Sequence, residues 1–260
     1  MRADDAVDLT LLAEAARAAG DIARRHFGNG PETWQKDDGQ GPVTEADLEI
    51  DAMLRRDLMA ARPAYGWMSE ESADGPERLS RDRVFVVDPI DGTRAFLEGS
   101  HDFSHSLAVV EDGVPVAAAI YLPMRDRLFL AARAGGATLN GAAIAATGRG
   151  ALDGATVLGT KANFRDELWH GGPPPVARSF RSSLAYRLAL VGQGRFDAMI
   201  TLRDAWEWDI AAGALIVAEA GGRIADRRGA ALRFNNPRPL LDGVVAGAPD
   251  IARALLARLV

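Results

Sequence analysis

The chain has 260 residues, of which 48% are hydrophobic and 25% charged, and its formal net charge is −6. This composition is typical of a globular protein, and the acidic balance argues against a nucleic-acid polymer as partner. Because the chain has no cysteines, a disulfide framework, a thiolate nucleophile and a Cys-ligated zinc are all excluded.

Neither the N-terminus nor the apolar stretches indicate targeting to a membrane. The N-terminal segment carries Asp4, Asp5 and Asp8 and lacks a long apolar core, so it is a poor signal peptide. The apolar stretch at residues 210–218 is far shorter than the ~20 residues that a membrane helix needs. We therefore expect a soluble, cytoplasmic protein without a membrane partner.

The first half of the chain predicts two helices and then an antiparallel meander. Residues 6–27 are rich in Ala and predict a helix, whereas Gly, Pro and Asp at 28–42 predict a loop or loose hairpin. Apolar residues at helical spacing predict a second helix over 44–61, with Thr44 as N-cap and Asp47 as its capping-box partner. The strands predicted after it cover residues 65–68, 84–87, 107–110, 116–122 and 128–131.

The second half alternates between short strands and helices. The predicted elements are strands at 156–158 and 199–202 and helices at 161–169, 184–191, 210–220 and 249–259. Such mixing predicts a layered α/β (α+β mixed) architecture. We predict an N-terminal lobe at 1–150 and a C-terminal lobe at 151–260, packed as one compact unit.

The segment Asp88-Pro89-Ile90-Asp91-Gly92-Thr93 directly follows the predicted strand at 84–87. Two carboxylates three residues apart at a strand end can converge on one point, and Mg²⁺ prefers such oxygen ligands. The residues Gly92 and Thr93 would open a helix whose free N–H groups suit a phosphate oxygen. An isolated Asp-x-x-Asp is more often a turn and a helix cap, but the complete string after an apolar strand favours a metal site.

Three further acidic segments are weaker signals by themselves. In Glu70-Glu71, adjacent side chains point in opposite directions on a strand, so we expect one to face a site and the other solvent. In Trp208-Asp209, the carboxylate precedes an apolar helix and is equally well explained as its N-cap. For Asp47, the capping box alone is a sufficient explanation.

Taken together, these motifs resemble the inositol monophosphatase family. The resemblance extends over residues 36–247 and rests on the Asp88–Thr93 string, Glu70-Glu71, the segment 43–47, and Trp208-Asp209 with residues 219–222, in that order. It implies a layered αβαβα sandwich and a lithium-sensitive, Mg²⁺-dependent phosphatase. It also implies a homodimer that acts on a small phosphorylated substrate.

The resemblance further implies two or three Mg²⁺ ions and their ligands. The first ion would be held by Glu70, Asp88 and the backbone carbonyl of Ile90. The second would be held by Asp88, Asp91 and Asp209, and a third, weaker ion would lie near Glu70. Paired ions ~3.5–4 Å apart make water a nucleophile and stabilise the leaving oxygen, so no covalent phosphoenzyme is required.

The same resemblance assigns roles to residues around the metals. The backbone at Gly92 and Thr93 would hold the phosphate. The side chains of Glu70 and Thr93 would orient the attacking water, with Asp47 supporting Thr93. The side chain of Lys36 lies in a loop that, in relatives, is mobile and reaches toward the site.

The substrate is less well determined by the sequence. In inositol-specific relatives a glutamate seven residues before the Trp-Asp aspartate contacts the sugar, and that position is Leu202 here. Either Asp204 or Glu207 could take its place. The basic residue Arg94 could bind a second phosphate bidentately, or it could be an exposed helix residue paired with Glu98.

The residues Arg94 and Arg187 make the chain look more like 3′(2′),5′-bisphosphate nucleotidases, and some histidinol-phosphate phosphatases share the Arg-Ala-Phe sequence at 94–96. The preferred hypothesis is therefore hydrolysis of 3′-phosphoadenosine 5′-phosphate to AMP and phosphate. Inositol-1-phosphate and histidinol phosphate are the alternative substrates. A binding protein with a vestigial site is the alternative of another class, and the presence of every proposed acidic ligand argues against it.

Overall fold

The computed structural model describes residues 1–36 and 41–260, so the predicted loop at 28–42 lies partly outside it. In the described ranges, β1 (Thr33–Gln35) and β2 (Pro42–Thr44) pair as an antiparallel hairpin. The helices are α1 (Ala3–His26), α2 (Glu45–Ala61), α3 (Thr93–Leu97), α4 (Leu184–Gly192), α5 (Glu207–Glu219) and α6 (Pro249–Leu256).

A seven-stranded sheet forms the larger part of the first half. Its strands follow in chain order: β3 (Gly66–Ser69), β4 (Arg83–Asp91), β5 (Ser104–Glu111), β6 (Val114–Leu122), β7 (Arg127–Ala132), β8 (Gly136–Leu139) and β9 (Ala142–Ala143). The pair β3–β4 is parallel and the others are antiparallel. The predicted meander is confirmed, and β8 and β9 extend it.

A five-stranded sheet and a short two-stranded ladder form the second half. The strands are β10 (Thr156–Leu158), β11 (Ala177–Ser179), β12 (Ala198–Thr201), β13 (Ala205–Trp206), β14 (Arg223–Ala225), β15 (Leu240–Leu241) and β16 (Val244–Gly247). The five-stranded sheet has the order β11-β10-β12-β16-β14, and β13 pairs with β15. The two large sheets thus come from either side of residues 144–155, and the division into two lobes there stays a prediction.

Five layers of helices and sheets pack together through three apolar clusters. The first cluster lies between helices α1 and α2 and one face of the seven-stranded sheet. The middle cluster surrounds α4 and α5 between the two sheets, and the third lies between the five-stranded sheet and α6 on its outer face. Residues 84–87 of β4 are all apolar because both faces of the strand are buried there: Phe85 and Val87 face the cluster under α1 and α2, and Val84 and Val86 face the cluster between the two sheets. The predicted layered αβαβα sandwich is confirmed.

The local predictions succeed where an element carries its own signal. Thr44 accepts a hydrogen bond from the backbone N–H of Asp47, and the Asp47 carboxylate accepts one from the N–H of Thr44, so the capping box is confirmed. The helix predicted at 161–169 is wrong: two 3₁₀ turns, Lys161–Phe164 and Asp166–Leu168, are separated by the extended Arg165. In the described ranges, every helix is too short or too polar to cross a bilayer.

Candidate active site

The end of strand β4 turns sharply and places several polar residues together. The pairing of β4 with β5 shifts register between Asp88 and Asp91, which breaks the regular alternation of side chains. The next residue, Gly92, has φ +100°, and a Cβ there would lie 3.4 Å from the carbonyl oxygen of Asp102. Glycine therefore permits the left-handed turn from which α3 begins at Thr93.

Three carboxylates from distant parts of the chain meet beside this turn. One oxygen each from Glu70, Asp88 and Asp209 lies within 4.8 Å of the other two. Because β3 runs parallel to β4, Glu70 and Asp88 reach the same edge of the sheet. Helix α5 brings Asp209 from the other side, and its first turn is fixed where Ser106 Oγ donates to the Trp208 carbonyl oxygen at 2.8 Å.

The electrostatics of this cluster call for a cation. Asp88 is 1% exposed, and its Oδ1 has no hydrogen-bond partner in the described part of the chain. Burial raises the pKa of Asp88 well above its usual range, and the charges of Glu70 and Asp91 raise it further. Burial and the charge of Asp91 likewise raise the pKa of Asp209. A divalent cation with oxygen preference would remove this repulsion and take up the unpaired oxygen, so the residues fit such an ion.

The second carboxylate of the string, Asp91, belongs to the same site and also caps a helix. Its Oδ2 accepts hydrogen bonds from Ser183 Oγ at 2.5 Å and from the N–H of Ala185 at 2.6 Å. The helix that Asp91 caps is α4. The alternative suggested by the local sequence was a cap of α3, the helix that directly follows Asp91. Burial raises the pKa of Asp91 to about 6 against the lowering effect of these bonds. Both bonds use one oxygen, which orients the carboxylate and leaves Oδ1 for another ligand.

A lysine lies beside the cluster. The ammonium group of Lys36 is 2.6 Å from Glu70 Oε1 and 2.6 Å from Glu71 Oε1. Burial alone would lower the pKa of Lys36, but the attraction of Glu70 outweighs it and raises this pKa to about 12. The expectation that one acid of the pair faces solvent is wrong, because the Glu71 side chain is only 4% exposed. Burial and the charge of Glu70 raise the pKa of Glu71 to about 7.

The hydroxyl of Thr93 lies between two acceptors. Its Oγ1 is 3.1 Å from the carbonyl oxygen of Ile90 and 3.4 Å from Asp47 Oδ1. Burial raises the pKa of Asp47 to about 6, although hydrogen bonds from Thr44 lower it. Asp47 therefore both closes the capping box of α2 and reaches Thr93, so the two interpretations of this residue are compatible.

A cavity of about 790 Å³ opens over the cluster. Its wall includes Arg94 and Glu98, and both residues are exposed. The wall also includes Arg187, which is 5% exposed and donates to the carbonyl oxygens of Arg181 and Ser182. Burial lowers the pKa of Arg187 to about 10, a range in which it remains charged at neutral pH.

The two residues proposed to replace the missing sugar-binding glutamate lie in different surroundings. The side chain of Glu207 is fully buried and accepts hydrogen bonds from the N–H groups of Asn235 and Asn236, so its expected place in the pocket is wrong. Asp204 lines the cavity. Leu202 packs into the apolar cluster under the five-stranded sheet.

Several wall residues escaped the sequence reasoning. They are Thr160, Phe180, Thr201, Arg203 and Trp206. The proximity of Arg203 and Trp206 to Trp208-Asp209 was a usable signal, because a short ladder between β13 and β15 holds that segment at the site. The loop residues Thr160 and Phe180 carry no recognisable pattern.

The chain belongs to the inositol monophosphatase family, whose model matches residues 5–260. It is 34% identical to the inositol-1-monophosphatase of Rhizobium meliloti over 95% of this chain and 94% of that protein. It is 32% identical to the Nus factor SuhB of Escherichia coli K12 over 96% and 95% of the two chains. The solved structure of a Thermotoga maritima IMPase aligns with a TM-score of 0.82 at 27% identity, covering 96% of this chain and 95% of that one.

Family membership makes this chain a phosphatase that hydrolyses phosphomonoesters. The family is generally metal-dependent, which agrees with the acidic cluster of Glu70, Asp88 and Asp209. The relatives carry two names, inositol-1-monophosphatase and Nus factor SuhB, and neither is a bisphosphate nucleotidase.

Proposed function

We propose that this chain is a Mg²⁺-dependent phosphomonoesterase acting on a small phosphate ester at the Asp88–Thr93 turn. The observation that carries the proposal is the convergence of three carboxylate oxygens within 4.8 Å, one of them from the buried Asp88, whose Oδ1 has no hydrogen-bond partner among the described residues. Elsewhere in the described residues, buried carboxylates are satisfied by arginines, as at Asp5 and Asp8, or by hydroxyl donors, as at Asp51. A fully buried carboxylate oxygen without a donor indicates a cation ligand.

The metal would be held by carboxylates from three segments of the chain. Glu70, Asp88 and the carbonyl of Ile90 form one ligand set, and Asp88, Asp91 and Asp209 form the other. Two ions would share Asp88, and a third would lie near Glu70. When bound, Mg²⁺ supplies a Lewis acid that makes water nucleophilic and stabilises the charge on the phosphate oxygens.

The protein's own groups bind the phosphate and orient the water. The backbone N–H groups of Gly92 and Thr93 would hold phosphate oxygens, because α3 begins at Thr93 and the first N–H groups of a helix have no acceptor within it. The Thr93 hydroxyl would accept a hydrogen bond from the attacking water while donating its own to Asp47 Oδ1 or to the carbonyl oxygen of Ile90. Glu70 supports the same water once Lys36 no longer neutralises it.

For the substrate, we propose a 3′(2′),5′-bisphosphate nucleotide. The cavity of about 790 Å³ is large for a polyol phosphate, and three arginines, Arg94, Arg187 and Arg203, line it. Guanidinium groups match a second phosphate bidentately. Inositol-1-phosphate is the second candidate, and two relatives that are 34% identical to this chain favour it, because they carry the name inositol-1-monophosphatase. The complete set of acidic residues argues against a vestigial site, although relatives named Nus factor SuhB carry a name of another class.

The test is phosphate release from a panel of substrates with Mg²⁺, with EDTA, and with Mg²⁺ plus Li⁺. The panel contains 3′-phosphoadenosine 5′-phosphate, inositol-1-phosphate, histidinol phosphate and glycerol 2-phosphate. We expect Mg²⁺-dependent, Li⁺-sensitive turnover with the highest kcat/KM for the nucleotide. Preference for inositol-1-phosphate would transfer the assignment to the second candidate, and turnover unaffected by EDTA would refute the metal site. Sedimentation of the same sample tests the homodimer that the family resemblance implies.

A further inference from the structure

Two aromatic side chains line the cavity that opens over the acidic cluster. Phe180 is 45% exposed, and Trp206 is half-buried. Both belong to the wall of the cavity that also contains Asp88 and Asp209. Large aromatic groups left accessible in a concave site usually mark a surface that binds an apolar or planar group.

Each ring is supported from one side. The Arg187 guanidinium carbon lies 4.5 Å from the Phe180 ring centroid, and this guanidinium is itself fixed by backbone carbonyl oxygens. Trp206 is stacked on Trp208, with ring centroids 4.8 Å apart and an angle of 8° between the planes. Because each ring is already held in place, less side-chain freedom is lost when a ligand binds against it.

The backbone also fixes Trp206 near the metal-binding carboxylates. It pairs with Leu240 in the β13–β15 ladder, and α5 begins at the next residue. Trp208, its stacking partner, directly precedes Asp209 in the first turn of that helix. The position of the Trp206 ring is therefore coupled to the segment that carries an acidic site residue.

We infer that Trp206 and Phe180 form a subsite that stacks a planar heteroaromatic ring of the substrate. The inference rests on the proposed phosphatase function, and it defines the substrate class as phosphate esters that carry such a ring. A purine and an imidazole both have a π-face for stacking, whereas the saturated ring of inositol has none. The bisphosphate nucleotide and histidinol phosphate both carry such a ring, and the substrate panel distinguishes between these two substrates.

The size of the effect follows from stacking energies between bases and aromatic side chains. Removal of such a side chain costs ~1–3 kcal/mol per base, equivalent to a ~5–150-fold change in an equilibrium constant. The loss is expected in substrate affinity, and therefore in KM, because stacking on the ring holds the substrate equally well before and during the reaction. The kcat value should change little.

The experiment compares Trp206→Leu and Phe180→Leu with Trp206→Phe, which keeps an aromatic face as the matched control. For 3′-phosphoadenosine 5′-phosphate, and to a smaller extent histidinol phosphate, we expect KM to rise ~5–150-fold in the leucine variants. For inositol-1-phosphate and glycerol 2-phosphate we expect unchanged KM, and Trp206→Phe should restore most of the nucleotide affinity. Equal changes for all four substrates, or none for the nucleotide, would overturn the inference.

A binding measurement separates this inference from the proposed function. Calorimetric titration with AMP does not depend on turnover, and the wild-type protein should bind it ~5–150-fold more tightly than Trp206→Leu does. If the wild-type protein bound AMP more tightly than Trp206→Leu but hydrolysed none of the esters, the proposed phosphatase function would be contradicted and the aromatic subsite would stand. Hydrolysis of glycerol 2-phosphate with equal AMP affinity in both proteins would retain the phosphatase and remove the subsite.

Discussion

Replacement of Asp88 with Asn should stabilise the protein without Mg²⁺ and remove most of the stabilisation that Mg²⁺ gives. Without the ion, Asp88 is a 1% exposed carboxylate with an unpaired oxygen, and like charges surround it. An Asn amide has similar size, carries no charge and can donate to Glu70 or Asp209. Removing the desolvated, unpaired oxygen should stabilise the metal-free protein by ~1–3 kcal/mol.

The assay is scanning calorimetry in EDTA and in saturating Mg²⁺. At this chain length ~1 kcal/mol shifts Tm by roughly 2–4 °C, so Asp88→Asn should melt ~2–12 °C above the wild-type protein in EDTA. In Mg²⁺ at ~100 times Kd the wild-type protein should gain about 2.7 kcal/mol, whereas the variant should gain little. Glu14→Gln, on the exposed face of α1, is the matched control and should follow the wild type.

Two results would refute this reasoning. If Asp88→Asn destabilised the protein in EDTA, the carboxylate would be making a structural interaction that the electrostatic description lacks. If Mg²⁺ stabilised the variant as much as the wild-type protein, Asp88 would not be a ligand of the ion.

Three further predictions concern residues with separate roles. Asp91→Asn should stay folded, because its remaining oxygen still accepts from Ser183, while turnover falls by orders of magnitude; an unfolded variant in circular dichroism would show that capping dominates. Glu207→Gln should lower the free energy of unfolding by ~1–3 kcal/mol, because one amide hydrogen would face backbone donors; urea unfolding measures this, and an unchanged midpoint contradicts it. Burial opposes ionisation of Glu111, but hydrogen bonds from Arg83 and its neighbours lower its pKa to about 2. Its contribution of roughly 3 kcal/mol is therefore present above pH ~4.5 and lost as pH falls toward 2, and Glu111→Gln should flatten this part of the stability profile.

The sequence was most informative where function and fold share a local pattern. The capping box at Thr44 and Asp47 and the strand before Asp88 each depend on neighbours within a few residues, so spacing alone predicts them. The five layers followed from a family resemblance rather than from periodicity. Short strands such as β11 carry too few residues for a periodic signal.

The remaining features depend on contacts between distant segments. Asp91 caps α4 through Ser183, and no local pattern in either segment indicates that they meet. Strand alternation predicts that one of Glu70 and Glu71 faces solvent. Both residues lie beyond the end of β3 at Ser69, where this alternation no longer holds. Glu207 appeared available for substrate, but the loop at residues 235–236 provides enough N–H donors to bury it.

The most direct measurement is a crystal structure with Mn²⁺ in place of Mg²⁺, using anomalous scattering to locate the ion. Our account predicts a peak about 2.0–2.3 Å from carboxylate oxygens of Glu70, Asp88 and Asp209, with Lys36 Nζ displaced from Glu70. The absence of a peak among these three side chains at saturating Mn²⁺, with Lys36 still 2.6 Å from Glu70, would contradict it.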